Sequence, residues 1–185
     1  MSVHLPTALP GCVLRPWRAE DKGDLLRLAN NRRVWRNMTH TFPHPYTEAD
    51  AALWLRIAAD PGRSIQLAID VDGQASGGIG AIAGEGIYAA TAQFGYWLGE
   101  PFWGRGIATA AASALAHRIG EEGLFARLEA HVFEWNPASM RVLDKAGFTR
   151  EAVLRCAATK DGRLINTVLY ARVFTEPAGE RVTAA

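Results

Sequence analysis

Gly95–Ala116 reads GYWLGEPFWGRGIATAAASALA. An aromatic, strand-like run stops at a turn rich in Gly, Pro and Trp, and the turn opens at once into an alanine-rich helix. A helix start leaves backbone N–H groups unpaired and carries partial positive charge. Glycine lets a ligand come close to the main chain. Strand, glycine turn and helix in that order are a physical recipe for holding phosphate. Gly104, Gly106 and Ala108 keep three near-consecutive positions small, and Arg105 can add a charge-assisted contact. The same pattern also suits a plain tight connection, with Gly for the turn and Ala for close packing.

Two phosphate motifs can be checked. The P-loop pattern G-x-x-x-x-G-K-[ST] is absent. The dinucleotide fingerprint G-x-G-x-x-G nearly fits Gly104, Gly106 and Thr109, with Thr in the third glycine position. Gly78, Gly80 and Ala83 fit its relaxed form, but they lie in a strand-like run with no helix after it, so the context fails.

Working outward, Val13–Trp17 reads as an edge strand and residues 19–30 as a helix with an acidic first turn. The stretch NNRRVWRNMTHTFPHPY is a loop or broken helix. Thr47 and Asp50 have capping-box spacing, and Leu53, Trp54, Ile57 and Ala58 follow on one side of the next helix. Strands follow at 64–71, at 77–84 and leading into the opening stretch, with Asp72-Gly73 as a hairpin turn. The alanine helix runs from Ile107 to about Ile119. After the strand ARLEAHVFEW, the stretch NPASMRVLDKAGF is a short helix with Asn136 as N-cap, Pro137 in its first turn and Gly147 as its stop. A long hairpin turning at Asp161-Gly162 ends the fold. The order implies one α/β domain with a mixed sheet over 13–174, preceded by an extension at 1–12 and followed by a flexible tail at 175–185.

Composition bounds the function. Apolar residues make up 49% of the 185, enough for a substantial core. Lys and Arg number 20 against 19 Asp and Glu, which gives no support for a nucleic-acid partner. No apolar run approaches a membrane span, and the N-terminus lacks the pattern of a signal peptide. Cys12 and Cys156 stand alone, with no metal-ligand spacing, and are expected as reduced thiols of a cytoplasmic protein that binds no metal.

GYWLGEPFWGRGIATAAASALA followed by NPASMRVLDKAGF resembles the GNAT N-acetyltransferase superfamily, and LRPWRAED and PHPYTEADAALWL fit its branch of ribosomal-protein N-terminal acetyltransferases. The resemblance runs from about Val13 to Phe174. It implies an α/β (α+β) fold: a mixed, mostly antiparallel twisted sheet with helices on both faces, splayed between two central strands. Acetyl-CoA would lie in the opening as co-substrate. Its pyrophosphate would sit on the turn Gly104–Thr109, taking in Arg105, Ile107 and the main-chain N–H groups of Gly104, Gly106, Ala108 and Thr109. Its pantetheine arm would pair with Tyr96, Trp97 and Leu98. Family members often carry Gln or Arg where this chain has Trp103.

Asn136 and Ser139 share one face of the last helix. Asn136 reads as a cap, and the resemblance also brings it to the cofactor arm and Ser139 near the sulfur. The chemistry implied is direct attack by an amine on a thioester in a ternary complex. The amine must lose a proton, the oxyanion needs a donor such as main chain near Leu98, and the departing thiolate gains from an acid. Many relatives place a tyrosine acid where this chain has Leu143, which leaves Ser139 as the candidate. For the base, the position five residues before Asn136 is His131, and Glu134 is the second candidate. Branch members often carry a Glu where this chain has Gln93. Water is the remaining acceptor. The acceptor pocket is expected from loop 32–46, shaped by Trp35, Phe42, His44 and Tyr46, and from the final hairpin.

The acceptors implied are a protein N-terminal amine or a small-molecule amine such as a polyamine or aminoglycoside-like drug. Exposed strand edges in the last hairpin are compatible with a homodimer. A non-catalytic acyl-CoA binder or sensor on the same fold is the rival reading, and a nucleotide-binding oxidoreductase is a third class.

Overall fold

The structure, a computed structural model, describes residues 4–174. In chain order the strands are β1 (Leu5–Pro6), β2 (Cys12–Pro16), β3 (Ile65–Val71), β4 (Gln74–Ala83), β5 (Thr91–Leu98), β6 (Arg127–Phe133), β7 (Thr149–Lys160) and β8 (Arg163–Val173). The helices are α1 (Lys22–Ala29), α2 (Arg32–Trp35), α3 (Glu48–Ala59), α4 (Ile107–Glu121) and α5 (Pro137–Lys145). All strands join one sheet in the order β1-β2-β3-β4-β5-β6-β8-β7. Every neighbouring pair is antiparallel except β5 with β6.

β3 and β4 are mostly apolar or small because both of their faces are largely covered. Leu67–Val71 of β3 and Ala75–Ala81 of β4 are buried throughout. Helix α1 packs on β4 and α3, while α4 packs on β1, β2, β4, β5 and α5. The glycines of β4 belong to this packing. A Cβ at Gly77 would come within 2.3 Å of the Trp97 carbonyl oxygen, and one at Gly80 within 2.3 Å of that of Ile65. On α4 the buried residues Ile107, Ala111, Ala112, Leu115, Ala116 and Ile119 follow the helical period.

The caps fall where their residue types require. Thr47 and Asp50 form the capping box of α3, and the Asn136 side chain accepts from the Ser139 N–H at the head of α5. Two boundaries differ from the sequence reading. Residues 19–21 wind as a 3-10 turn before α1 begins, and Leu5–Pro6, read as part of an extension, pairs with β2 through Leu5 and Leu14. The last eleven residues, read as a flexible tail, lie outside the described residues. No helix among the described residues is long and apolar enough to cross a membrane.

One buried ionic cluster ties the first half of the sheet to its turns. Arg15, 2% exposed, donates from Nε to Asp70 Oδ2 at 2.6 Å and through both terminal nitrogens to Asp21 at 2.8 Å. The Arg18 N–H also donates to Asp21, and the Gly73 N–H to Asp70. Replacing one partner leaves the other charges buried and unpaired. Arg15→Leu is therefore expected to cost about 3–5 kcal/mol in urea unfolding, read as a lower midpoint at unchanged slope. A loss under about 1 kcal/mol would mean that Asp21 and Asp70 find water or other donors instead.

Candidate active site

The parallel pairing of β5 with β6 covers only Thr91–Gln93 against Arg127–Glu129. Beyond it β5 runs on to Leu98, paired with β4 on its other side, while β6 continues to Phe133 paired with β8. From Phe94 onward, then, β5 has no strand on its β6 side. A cleft of about 920 Å³ fills this gap, and its walls come from α3, α5, the loop after α2, and the turn before α4. Backbone groups on such an edge need a partner, and an extended ligand can supply one.

The turn before α4 opens onto the same cleft. Gly104 and Gly106 have φ of +75° and +79°, and a Cβ at either would meet nothing within 4 Å. Left-handed backbone, not crowding, is what calls for glycine there. Gly106 is the N-cap of α4 and offers no side-chain cap, and the first turn holds no acidic residue. Gly104, Gly106, Ile107, Ala108 and Thr109 all line the cleft. A long helix thus presents unpaired amides and its positive end to open space. Trp103 fastens this turn to β5 by donating from its indole N–H to the Leu98 carbonyl at 2.7 Å. That bond occupies one of the acceptors expected for a pantetheine arm. Arg105 stands off the lining, with its guanidinium 5.6 Å from the Phe102 ring.

Across the cleft, α5 brings Asn136 and Ser139 to the lining. The Asn136 Oδ1 accepts the Ser139 N–H at 3.2 Å. The Ser139 Oγ lies 2.8 Å from the hydroxyl of Tyr96, which also lies 3.1 Å from the Ser139 carbonyl oxygen. Burial pushes the Tyr96 phenol above its ordinary pKa, against the opposing pull of the serine bond. Tyr96 was expected to offer only its backbone, and its position in a strand carried no signal of a partner on α5. Leu143, fully buried, fills the helix position where many relatives carry a tyrosine. Arg141 and Lys145 also line the cleft, which the sequence reading missed. Their signal was one turn of spacing on the exposed side of α5.

The candidate bases separate. His131 is exposed on β6, lines the cleft, and makes no side-chain hydrogen bond among the described residues. Glu134 does not line the cleft. Its carboxylate accepts from the Asn166 N–H at 3.0 Å and from Asn166 Nδ2 at 2.9 Å, which fixes it to β8. Gln93 faces the cleft and supplies no carboxylate.

The loop residues separate too. Phe42 and Tyr46 line the cleft beside Trp97, which packs edge-on against Phe42 with ring centroids 5.5 Å apart. Trp35 and His44 do not line it. Their rings pack with centroids 5.5 Å apart, and the Lys160 ammonium sits 3.6 Å from the Trp35 centroid and donates to the Met38 carbonyl. They fasten the loop to the β7–β8 hairpin instead of shaping the pocket.

The family model described as Acetyltransferase (GNAT) domain matches residues 12–149. The ribosomal-protein-serine acetyltransferase of Escherichia coli K12 is 35% identical over 84 residues, 45% of this chain and 47% of that protein. The chain thus spans about half the length of the curated relatives it matches. The RimL alpha-N-protein acetyltransferase solved with coenzyme A superposes with a TM-score of 0.82 at 21% identity, covering 93% of this chain and 98% of that one. A spermidine N-acetyltransferase from Vibrio cholerae solved with CoA and spermine gives 0.77 at 17% identity, covering 92% and 100%. At these identities the structures establish the shared fold.

Gly106→Asn and Gly106→Asp test the turn. Both side chains tolerate left-handed backbone, and they differ in charge. Calorimetry is expected to show acetyl-CoA binding at least about tenfold weaker, or about 1.4 kcal/mol, for Asp than for Asn, with melting temperatures alike. Equal affinities would remove the anion from this turn.

Proposed function

The chain belongs to the GNAT acetyltransferase family, and we propose that it moves an acetyl group from acetyl-CoA to a primary amine by direct attack in a ternary complex. One observation carries this reading: the uncapped glycine turn of α4 opens onto the same cleft as the unpaired edge of β5. The first suits a diphosphate and the second suits the amide-bearing arm of the coenzyme. Arg141 and Lys145 add cationic charge toward a polyanionic ligand. Tyr96, Trp97 and Leu98 would flank the arm, and Asn136 would reach it from α5.

In the reaction the amine nitrogen attacks the thioester carbonyl carbon. A C–N bond forms, and the carbonyl oxygen takes the negative charge, met by main-chain N–H near Leu98. The C–S bond then breaks, with its electron pair leaving on sulfur. Ser139 donates a hydrogen bond to the thiolate and is itself bonded to the Tyr96 hydroxyl 2.8 Å away; a proton that enters from solvent passes through this pair to sulfur, so that both hydroxyls end protonated. The attacking nitrogen gives up one proton to His131 or to water, and the proton balance closes through solvent. The acceptor is a peptide N-terminus or a small-molecule amine. A non-catalytic acyl-CoA binder is the rival, favoured by the absence of a carboxylate at Gln93.

Release of coenzyme A from acetyl-CoA, measured over a panel of amines and peptides, tests the reading. Turnover on at least one amine is expected. Tight acetyl-CoA binding with no turnover on any would favour the binder.

Tyr96→Phe and Ser139→Ala are each expected to lower kcat about 10- to 100-fold, with little change in KM for acetyl-CoA. The double variant should fall short of the product of the two, because the pair acts as a unit. Burial holds the Tyr96 proton on, so kcat should show no loss from phenol ionisation up to about pH 10. Full activity in Tyr96→Phe would take the phenol out of the relay.

A further inference from the structure

Helix α3 presents an unusual face. Leu53 and Ile57, one turn apart, are 48% and 49% exposed, and both line the cleft. Ile82 on β4, 52% exposed, lines it as well. The interior of the domain is served by other residues of α3, Ala51 and Ala58. Single exposed aliphatic residues are ordinary on a protein surface. Three large ones from two elements, together with Phe42 and Trp54, give this one cleft an apolar lining open to solvent.

The charges of the cleft point the same way. Among the described residues that line it, Asp50 is the sole carboxylate. Its Oδ2 already accepts from the Thr47 N–H at 2.8 Å and from the Thr47 hydroxyl, as the cap of α3. The remaining polar side chains on the lining, among them Gln66, Gln93, Tyr96, Asn136, Ser139 and the imidazole of His131, include no carboxylate. The other charged lining residues, Arg141 and Lys145, are cations. A second or third ammonium on an acceptor would lose water here without gaining a partner.

We propose that the acceptor is an amine whose reacting nitrogen is its only cationic centre and whose body is apolar, seated between Leu53, Ile57 and Ile82. This rests on the acetyl-transfer reading of the same cleft. An apolar amine and a peptide beginning with an apolar residue share this chemistry, and separate arms of one experiment tell them apart.

The experiment measures kcat/KM for phenethylamine, a leucine-initiated tripeptide amide, a serine-initiated tripeptide amide and spermidine, each with saturating acetyl-CoA. In the wild type at least one of the first two should exceed both of the others at least tenfold, and which one leads names the source. In Leu53→Glu/Ile57→Glu, a surface change on an intact helix, the preferred apolar substrate should fall at least tenfold and spermidine should rise, while acetyl-CoA affinity stays unchanged. Spermidine or the serine peptide equalling the apolar substrates in the wild type, or a variant with unaltered preference, would overturn the proposal. If no amine is turned over, the transfer reading fails separately. Calorimetric affinities of the same four compounds for the coenzyme A complex then decide the acceptor class by the same ordering.

Discussion

A sheet that stops pairing halfway along its two central strands is the constraint from which the rest follows. The β5–β6 ladder ends at Gln93 and Glu129. The next residue, Phe94, stacks against Phe148 at 5.1 Å, and Phe148 lies just past α5 beside the buried Leu143. Aromatic and aliphatic bulk therefore covers the face of the sheet where the two strands part. An open strand edge inside a sheet is ordinarily a liability. Here α5, the head of α4 and the loop after α2 wall it in, so that a ligand with amides of its own can reach it.

Local grammar made most of this legible in the sequence. Asn136 before Pro137, Thr47 three residues before Asp50, and the Asp-Gly pairs at 72–73 and 161–162 each satisfy a backbone need that few other residues meet, and each falls at its element boundary. The glycine turn before α4 was readable for the same reason, since positive φ at Gly104 and Gly106 is a local property. The pairing of Leu5–Pro6 with β2 was not readable, because two residues carry no periodicity and the partner strand supplies the reason for the conformation.

What escaped the sequence is how its candidate residues meet one another across the fold. Tyr96 and Ser139 are separated by 43 residues and meet only because α5 lies over the open end of β5. Glu134 and His131 share a strand end, and nothing in the sequence says that one faces the cleft while Asn166 on β8 holds the other. Trp35 and His44 looked like pocket aromatics by composition. The cation that stacks on Trp35 comes from the far hairpin, and it turns that pair into an anchor for the loop.

On the proposed reading the open seam also separates the two proton movements that acyl transfer requires. The phenol of Tyr96 is buried on β5 and kept protonated, which suits a group that must still hold a proton when sulfur departs. The imidazole of His131 stands exposed on β6, with no bond to a neighbouring side chain among the described residues, which suits exchange with solvent. Had the two strands stayed paired in the same register, the gap between them would have closed and left no room for a thioester. Divergence of the strands gives each group its own environment. The same gap that admits the coenzyme thus puts the proton donor in a dry wall and the proton acceptor in a wet one.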